Sequence, residues 1–170
     1  MEKIVLEKER LLLKPLSFNE LLQINNNEIV SDESRIASGA ILDSVKSAIS
    51  KKLKKMQEVN EDVHEWYTYW LIINKDNRKG VGFIGFKGTP DEIGYSEVGY
   101  SISSNYGRKG FMTEALLALM KWASNSPNCK GIIAKKVLKT NIGSNKVLKN
   151  CNFELVSSSN QENNYIFRFE

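Results

Sequence analysis

The stretch from Glu97 to Ala123, EVGYSISSNYGRKGFMTEALLALMKWA, constrains this chain more than any other. EVGYSIS alternates apolar and polar residues with the period of two of a half-buried strand, whereas Met112, Leu116, Leu119, Met120 and Ala123 recur at helical spacing. Between them, SNYGRKG places two glycines around an Arg-Lys pair. Gly107 and Gly110 let the backbone turn tightly and approach a ligand without a Cβ in the way. The first turn of the following helix has free N–H groups and carries about half a positive charge. Arg108 and Lys109 add two full charges. Such a loop suits a pyrophosphate, although a helix with a merely basic N-terminal loop would read the same way. The loop lacks the Gly-Lys-Ser/Thr and metal-binding hydroxyl of a nucleoside-triphosphate loop, which argues against phosphoryl transfer.

A second glycine pattern has no such context. Gly80-Val81-Gly82-Phe83-Ile84-Gly85 matches G-x-G-x-x-G, but it lies inside a strand pattern and no helix follows it, so it is a chance match. The remaining chain reads as mixed elements. KERLLLKPL is a strand stopped by Pro15, and Ser17 with Glu20 three residues on marks the start of a short helix through Leu21, Leu22 and Ile24. Residues 41–59 form a second helix with Ile41, Val45, Ile49, Leu53 and Met56 on one side and the KKLKK lysines (51–55) on a solvated face. WYTYWLII (66–73) and VGFIGF (81–86) are strands joined by the turn NKDNRKG, and GIIAKKVL (131–138) is another. SNKVLKN is helical, and FELV and YIFRF close the chain as strands. The expected fold class is α+β (mixed α/β), with a mostly antiparallel central sheet flanked by helices. With 170 residues and no linker or repeat, one domain spanning 1–170 is expected.

Composition excludes several chemistries. No apolar run approaches the ~20 residues of a membrane span, and the start, MEKIVLEKERLLLKPL, has no signal-type apolar core, so a cytoplasmic setting is expected. Cys129 and Cys151 cannot build a disulfide framework or a Cys-rich zinc site, and no metal is expected. His64 is the only histidine, in the polar stretch NEDVHEW, and reads as an exposed loop residue rather than the base of a triad. The net charge of +4 is compatible with an anionic ligand. KKLKK lacks interleaved aromatics, so a nucleic-acid partner is not expected.

Three segments together resemble the GNAT acetyltransferases, and within them the ribosomal-protein N-acetyltransferase branch. Glu97-Val98-Gly99-Tyr100 followed by Gly110-Phe111-Met112-Thr113-Glu114-Ala115 resembles that branch's "E-[IV]-G-Y" strand and "G-x-x-T-E-A" helix start. Asn141, Ser144, Val147, Leu148 and Phe153 fall as in "N-x-x-S-x-x-V-L-x-x-x-G-F", and Glu9 to Pro15 resembles the usual first strand. Some positions depart from the pattern. Gly107 stands where Gln or Arg is usual, Met112 where a small residue is usual, and Arg108 where glycine is common. Asn152 replaces the glycine before Phe153, and asparagine tolerates a left-handed conformation.

The resemblance implies a splayed sheet with acetyl-CoA as cosubstrate in the gap. Pantetheine would run beside Val98, Tyr100 and Ile102, pyrophosphate would rest on Arg108, Lys109, Gly110, Phe111, Met112 and Thr113, and Asn141 would meet the pantetheine amides. The reaction it implies is direct attack by an amine, with Glu97 as candidate base and Ser144 as candidate acid. The tyrosine many members carry is Leu148 here. The leading expectation is an acetyl-CoA-dependent N-acetyltransferase, acting as monomer or homodimer. The alternative is a degenerate GNAT domain that binds CoA in a regulatory or interaction role. An α-amine has a pKa of about 7.7–8.0 against about 10.4 for lysine, so a weak base leans towards protein or peptide N-termini, with polyamines and aminoglycosides open.

Overall fold

The computed structural model describes residues 4–28, 36–37 and 39–170. Its first half comprises β1 (Leu6–Glu7), β2 (Leu11–Pro15), α1 (Phe18–Asn25), α2 (Asp43–Gln57), β3 (Trp70–Asn74) and β4 (Gly80–Phe86). The second comprises β5 (Tyr95–Ile102), α3 (Phe111–Ser124), β6 (Gly131–Leu138), α4 (Ile142–Asn150), β7 (Glu154–Ser158) and β8 (Glu162–Arg168). The eight strands form one sheet in the order β1-β2-β3-β4-β5-β6-β8-β7. All neighbours are antiparallel except β5 and β6, which run parallel. The fold is thus the mixed α/β, mostly antiparallel arrangement expected from the sequence.

Strand alternation sorts the two faces. Leu71 of β3 and Phe83 of β4 share a core with Leu21 and Ile24 of α1 and Val45, Ile49 and Met56 of α2. Trp70, Ile72, Ile84 and Phe86 share the other core with Met112, Leu116, Leu119, Met120 and Ala123 of α3. Helices on both faces leave all seven residues of β4 buried. The G-x-G-x-x-G match runs inside this strand. A Cβ on Gly85 would stand 2.3 Å from the Thr68 carbonyl oxygen, so that glycine serves close backbone packing.

Local signals are realised where the partners are close in sequence. Glu20 N donates to Ser17 Oγ at 3.1 Å and Ser17 N to Glu20 Oε1 at 3.0 Å, completing the capping box. Asn152 adopts φ 65°, the left-handed conformation its substitution for glycine suggests. β3, by contrast, starts at Trp70 rather than Trp66, because Glu61–Trp66 winds into a 3-10 turn capped by Asn60. Trp66 then stacks near Phe86 and Trp122, with ring centroids 5.0 and 4.8 Å away. His64 is half-buried rather than exposed, and its Nε2 lies 2.9 Å from the Met56 carbonyl.

The expectation of a wholly solvated lysine face on α2 is corrected by Lys52, which is 7% exposed. Its Nζ donates to Phe86 O at 2.9 Å and Tyr67 O at 3.2 Å, and sits 4.5 Å from the centroid of the Tyr69 ring. The aliphatic stem packs in the core while the amine satisfies the carbonyls of Phe86, at the end of β4, and Tyr67, just after the 3-10 turn. Burial first, then the charges of Lys55 and Lys87, pull its pKa down to about 7. A neutral amine still has two N–H bonds, one for each carbonyl.

The feature that shapes the site is a bulge in β6. β5 and β6 pair only from Tyr95↔Gly131 to Glu97↔Ile133. Immediately beyond, the β6–β8 register shifts between Ala134 and Val137, and Lys136 takes φ 55°. A bulge bends and twists its strand, so β6 leaves β5 and a gap opens alongside residues 98–102. Asn145, 9% exposed, pins α4 across this gap. Its Nδ2 donates to Leu138 O (3.0 Å) and Asn141 O (2.8 Å), while its Oδ1 accepts from Asn163 Nδ2 (2.9 Å) and Tyr165 Oη (2.5 Å).

The buried amine generates a stability prediction. An unfolded lysine keeps its proton up to about pH 10.4, whereas folded Lys52 releases it near pH 7. Between these values the unfolded state binds more protons, so stability should rise with pH. Lys52→Met removes the titration and should flatten that rise by on the order of 1 kcal/mol per pH unit between pH 7.5 and 9.5. Urea midpoints of both proteins across this window check it. Equal slopes would show that Lys52 does not release its proton there.

Candidate functional site

Hydrogen-bond parity along β5 determines which backbone groups face the gap. Lys87 N donates to Glu97 O at 2.9 Å, and Ser103 N donates to Val81 O at 2.8 Å. In the register Phe86↔Val98, Gly85↔Gly99, Ile84↔Tyr100 and Gly82↔Ile102, these bonds place odd-numbered residues of β5 in hydrogen-bonded pairs with β4. The N–H and C=O groups of Tyr100 and Ile102 therefore turn the other way, towards the gap, joined by the carbonyl of Val98. They form a short free strand edge, able to pair with an extended ligand carrying amides.

The strand leads through a 3-10 turn, Ser104–Tyr106, to the loop before α3. Arg108, Lys109 and Gly110 are all exposed. Arg108 has φ 63° and Gly110 φ 80°, so two left-handed residues make the turn. The glycine common at the Arg108 position in the family is explained by this geometry. Arginine there keeps the left-handed backbone at a cost of about 1–2 kcal/mol and adds a cation. Gly110 is the N-cap of α3 and offers no side chain to its first turn. Phe111 and Met112 are 8% and 6% exposed, so their side chains belong to the core and only their backbone N–H groups can serve a ligand. Arg10, between β1 and β2, reaches the same loop from behind and bonds the Lys109 carbonyl at 2.7 Å.

Across the gap, Asn141 caps α4, its Oδ1 accepting from Ser144 N at 3.0 Å. The cap leaves the Asn141 amide N–H₂ available as a donor. Tyr100 joins the two sides, its hydroxyl donating to Ser144 O at 3.2 Å. Burial pushes the Tyr100 pKa well above its ordinary value, so the hydroxyl stays protonated and acts as a donor. Leu148 is fully buried in the core.

Glu97 and Tyr100 leave β5 on opposite faces, since their positions differ in parity. Glu97 lies on the face of α1 and α2, where its Oε2 pairs with Lys87 Nζ at 2.5 Å directly across the β4–β5 ladder. Its Oε1 makes no hydrogen bond among the described residues. Lys55 Nζ donates to Lys87 O at 3.2 Å, so three lysines converge on this strand end: Lys52, Lys55 and Lys87. None of the three was singled out from the sequence as a site residue. Two cysteines are near the second core, and burial raises both thiols, Cys151 to about 11. Neither is a thiolate at neutral pH, which removes them as nucleophiles. Among the described residues no group of His, Cys, Asp and Glu could hold a metal ion, and no helix is long and apolar enough to cross a membrane.

Comparison with known proteins adds three findings. An uncharacterized N-acetyltransferase, YjdG of Bacillus subtilis (strain 168), is 36% identical over 98 residues, 58% of this chain and 58% of that relative. A second, p20 of Bacillus licheniformis, is 35% identical over 83 residues, 49% of this chain and 46% of its own length, so the matches span about half of these relatives. Among solved structures, a GNAT-family acetyltransferase from Bacillus anthracis superposes with a TM-score of 0.66 at 16% identity, over 97% of this chain and 98% of that one. The ribosomal L7/L12 alpha-N-protein acetyltransferase RimL in complex with coenzyme A gives 0.68 at 14% identity, over 97% and 98%. At these identities the two structures show a shared fold. The sequence itself goes further: the model of the acetyltransferase (GNAT) domain matches residues 10–154, every element from β2 through α4 with the gap included, and the chain belongs to the GNAT acetyltransferase family.

Proposed function

We propose that this protein is an acetyl-CoA-dependent N-acetyltransferase whose acceptor is a primary amine, with a protein or peptide N-terminus favoured. The observation that carries the reading is the free edge of β5 at Tyr100 and Ile102, continuous with a cationic loop and a helix N-terminus without a side-chain cap. The donors fit the two halves of CoA. Amide-pairing groups from Val98 to Ile102 suit pantetheine, and the N–H groups of residues 110–113 with Arg108 and Lys109 suit pyrophosphate. When bound, acetyl-CoA supplies the thioester carbon that an amine attacks.

The chain's own residues supply position and proton handling. Glu97, on the α1–α2 face, has one carboxylate oxygen held by Lys87 and the other open to accept a proton from the amine, directly or through water. Ser144, on the far side of the gap, stands at the third position of α4, where its hydroxyl is free to assist the departing thiolate while Asn141 and Tyr100 hold its backbone. At pH 7, deprotonating an α-amine costs about 1–1.4 kcal/mol and a lysine amine about 4.6 kcal/mol. A partly buried, ion-paired carboxylate therefore suits the α-amine. Lys55 and Lys87 near Glu97 also disfavour a polycationic acceptor such as a polyamine.

Turnover separates this reading from a CoA-binding domain without activity. Glu97→Gln should lower kcat by about 100- to 10,000-fold with little change in acetyl-CoA affinity, the defect easing as pH rises and the amine deprotonates by itself. Ser144→Ala should lower kcat less and equally at all pH values. These are read by CoA release with N-terminal peptides, polyamines and aminoglycosides as acceptors. No release with any of the three classes, alongside tight CoA binding, would favour the non-catalytic reading.

The loop gives a second expectation with two opposite signs. Arg108→Gly relieves the left-handed arginine and should raise stability by up to about 1–2 kcal/mol. The same change removes a phosphate partner and should weaken CoA by about 1.5–3 kcal/mol, with no loss for pantetheine. Thermal unfolding and calorimetric titration read the two effects. Equal losses for CoA and pantetheine would show that Arg108 does not face phosphate.

A further inference from the structure

Arg10 makes four contacts that converge on one short segment. Its Nη1 donates to Lys109 O at 2.7 Å, and its Nε donates to Glu114 Oε1 at 2.9 Å. Its backbone N–H donates to Glu114 Oε2 at 3.0 Å, and its guanidinium carbon lies 4.5 Å from the centroid of the Phe111 ring. A Cβ on Gly110 would stand 3.1 Å from Arg10 Nη2, so this end of the guanidinium lies against the glycine. The chain brings these partners together from 99 and 104 residues apart.

The peptide plane turns these contacts into a consequence. In a trans peptide the C=O of one residue and the N–H of the next point in opposite directions, and no cis bond occurs among the described residues. Bonding the Lys109 carbonyl to Arg10 therefore aims the Gly110 N–H away from Arg10, outward from the loop. Gly110 at φ 80° then hands the chain into α3 with the next N–H groups following. Arg10 has a second effect on the same place. Glu114 stands in the first turn of α3, and its carboxylate would repel an anion bound at that helix end. The bidentate contact through Nε and the backbone N–H keeps the carboxylate on the far side and neutralises it.

We infer that Arg10 is the positioning residue of the phosphate loop: it orients the Lys109–Gly110 peptide and cancels the Glu114 charge, so that an anionic phosphate group is received by backbone N–H groups. The inference rests on reading the 108–113 loop as a phosphate cradle. It assigns Arg10 no contact with the ligand. A planar fork is needed, because one ammonium cannot hold Lys109 O and Glu114 and stack on Phe111 together.

The test compares wild type, Arg10→Met and Arg10→Lys for binding of CoA and of pantetheine, by calorimetry over a range of salt concentrations. Both variants should bind CoA about tenfold or more weakly, and pantetheine within about twofold of wild type. Arg10→Lys should recover most of the thermal stability lost in Arg10→Met without recovering CoA affinity, a split that a purely structural role would not give. The salt dependence of CoA binding should stay the same in Arg10→Lys, which keeps a cation beside Glu114, and weaken only in Arg10→Met, where the Glu114 charge is left uncancelled. A salt slope reduced in both variants would overturn the inference by making Arg10 a direct phosphate ligand, as would CoA affinity within twofold of wild type. Hydrogen exchange in the ligand-free proteins is an independent arm. The Glu114 amide, bonded to Gly110 O at 3.1 Å, should exchange about tenfold faster in both variants while Ile84 in β4 does not change. If wild type binds neither CoA nor pantetheine, the cradle reading fails, and unchanged Glu114 exchange would separately overturn the anchor.

Discussion

The parting of β5 from β6 after Glu97 and Ile133 is the constraint on which the rest of the structure depends. Two parallel strands would ordinarily continue to pair, since each unpaired N–H and C=O costs free energy unless water or another group takes it. Here one extra residue in β6, with Lys136 in the left-handed region, bends that strand towards β8 and out of reach. The pairing lost by Tyr100 and Ile102 leaves a free strand edge, which the proposed function uses for recognition. A ligand that reproduces a strand's amide spacing can complete the sheet, which is the logic of strand addition. Asn145 holds α4 beside the gap, three of its four hydrogen bonds tying the helix to β6 and β8 and the fourth going to the carbonyl of Asn141, the helix N-cap.

The gap also separates two groups of side chains. Tyr100, Asn141 and Ser144 line one side, and Glu97 projects from the opposite face of β5 among three lysines. In the proposed reaction, the proton leaving the amine and the thiolate leaving the acyl group would be handled on different sides of a single strand. Lys52 contributes to this arrangement from inside the core. By bonding Tyr67 O and Phe86 O it holds the end of β4 in place just before Lys87, the partner of Glu97. An apolar side chain of the same length would leave both carbonyls without this partner.

Much of the fold was legible in the sequence where the deciding contacts are local. Ser17 and Glu20 are three residues apart, and the α3 stripe from Met112 to Ala123 needs only helical periodicity. Asn152 could be placed in a left-handed turn because only backbone conformation was at stake. Lys52 was not legible: its charge reads as solvated, and its acceptors lie 15 and 34 residues away on other elements. Arg10 reads as part of a strand, with nothing in its neighbours to announce Lys109 or Glu114 about a hundred residues on. The Lys87–Glu97 pair needed the β4–β5 register, which one sequence does not fix. The bulge did leave a trace, since Lys135 and Lys136 break the alternation of GIIAKKVL, and consecutive lysines inside an apolar strand pattern mark such an interruption.

The central claim is that CoA pairs with the free edge of β5. Amide hydrogen exchange along 97–103, with and without CoA, tests it residue by residue. Gly99 and Ser101, bonded to β4, should exchange slowly in both conditions. Tyr100 and Ile102 should exchange fast in the free protein and slow by at least about tenfold when CoA is bound. Protection of Tyr100 and Ile102 unchanged by saturating CoA would contradict the account and place the ligand elsewhere.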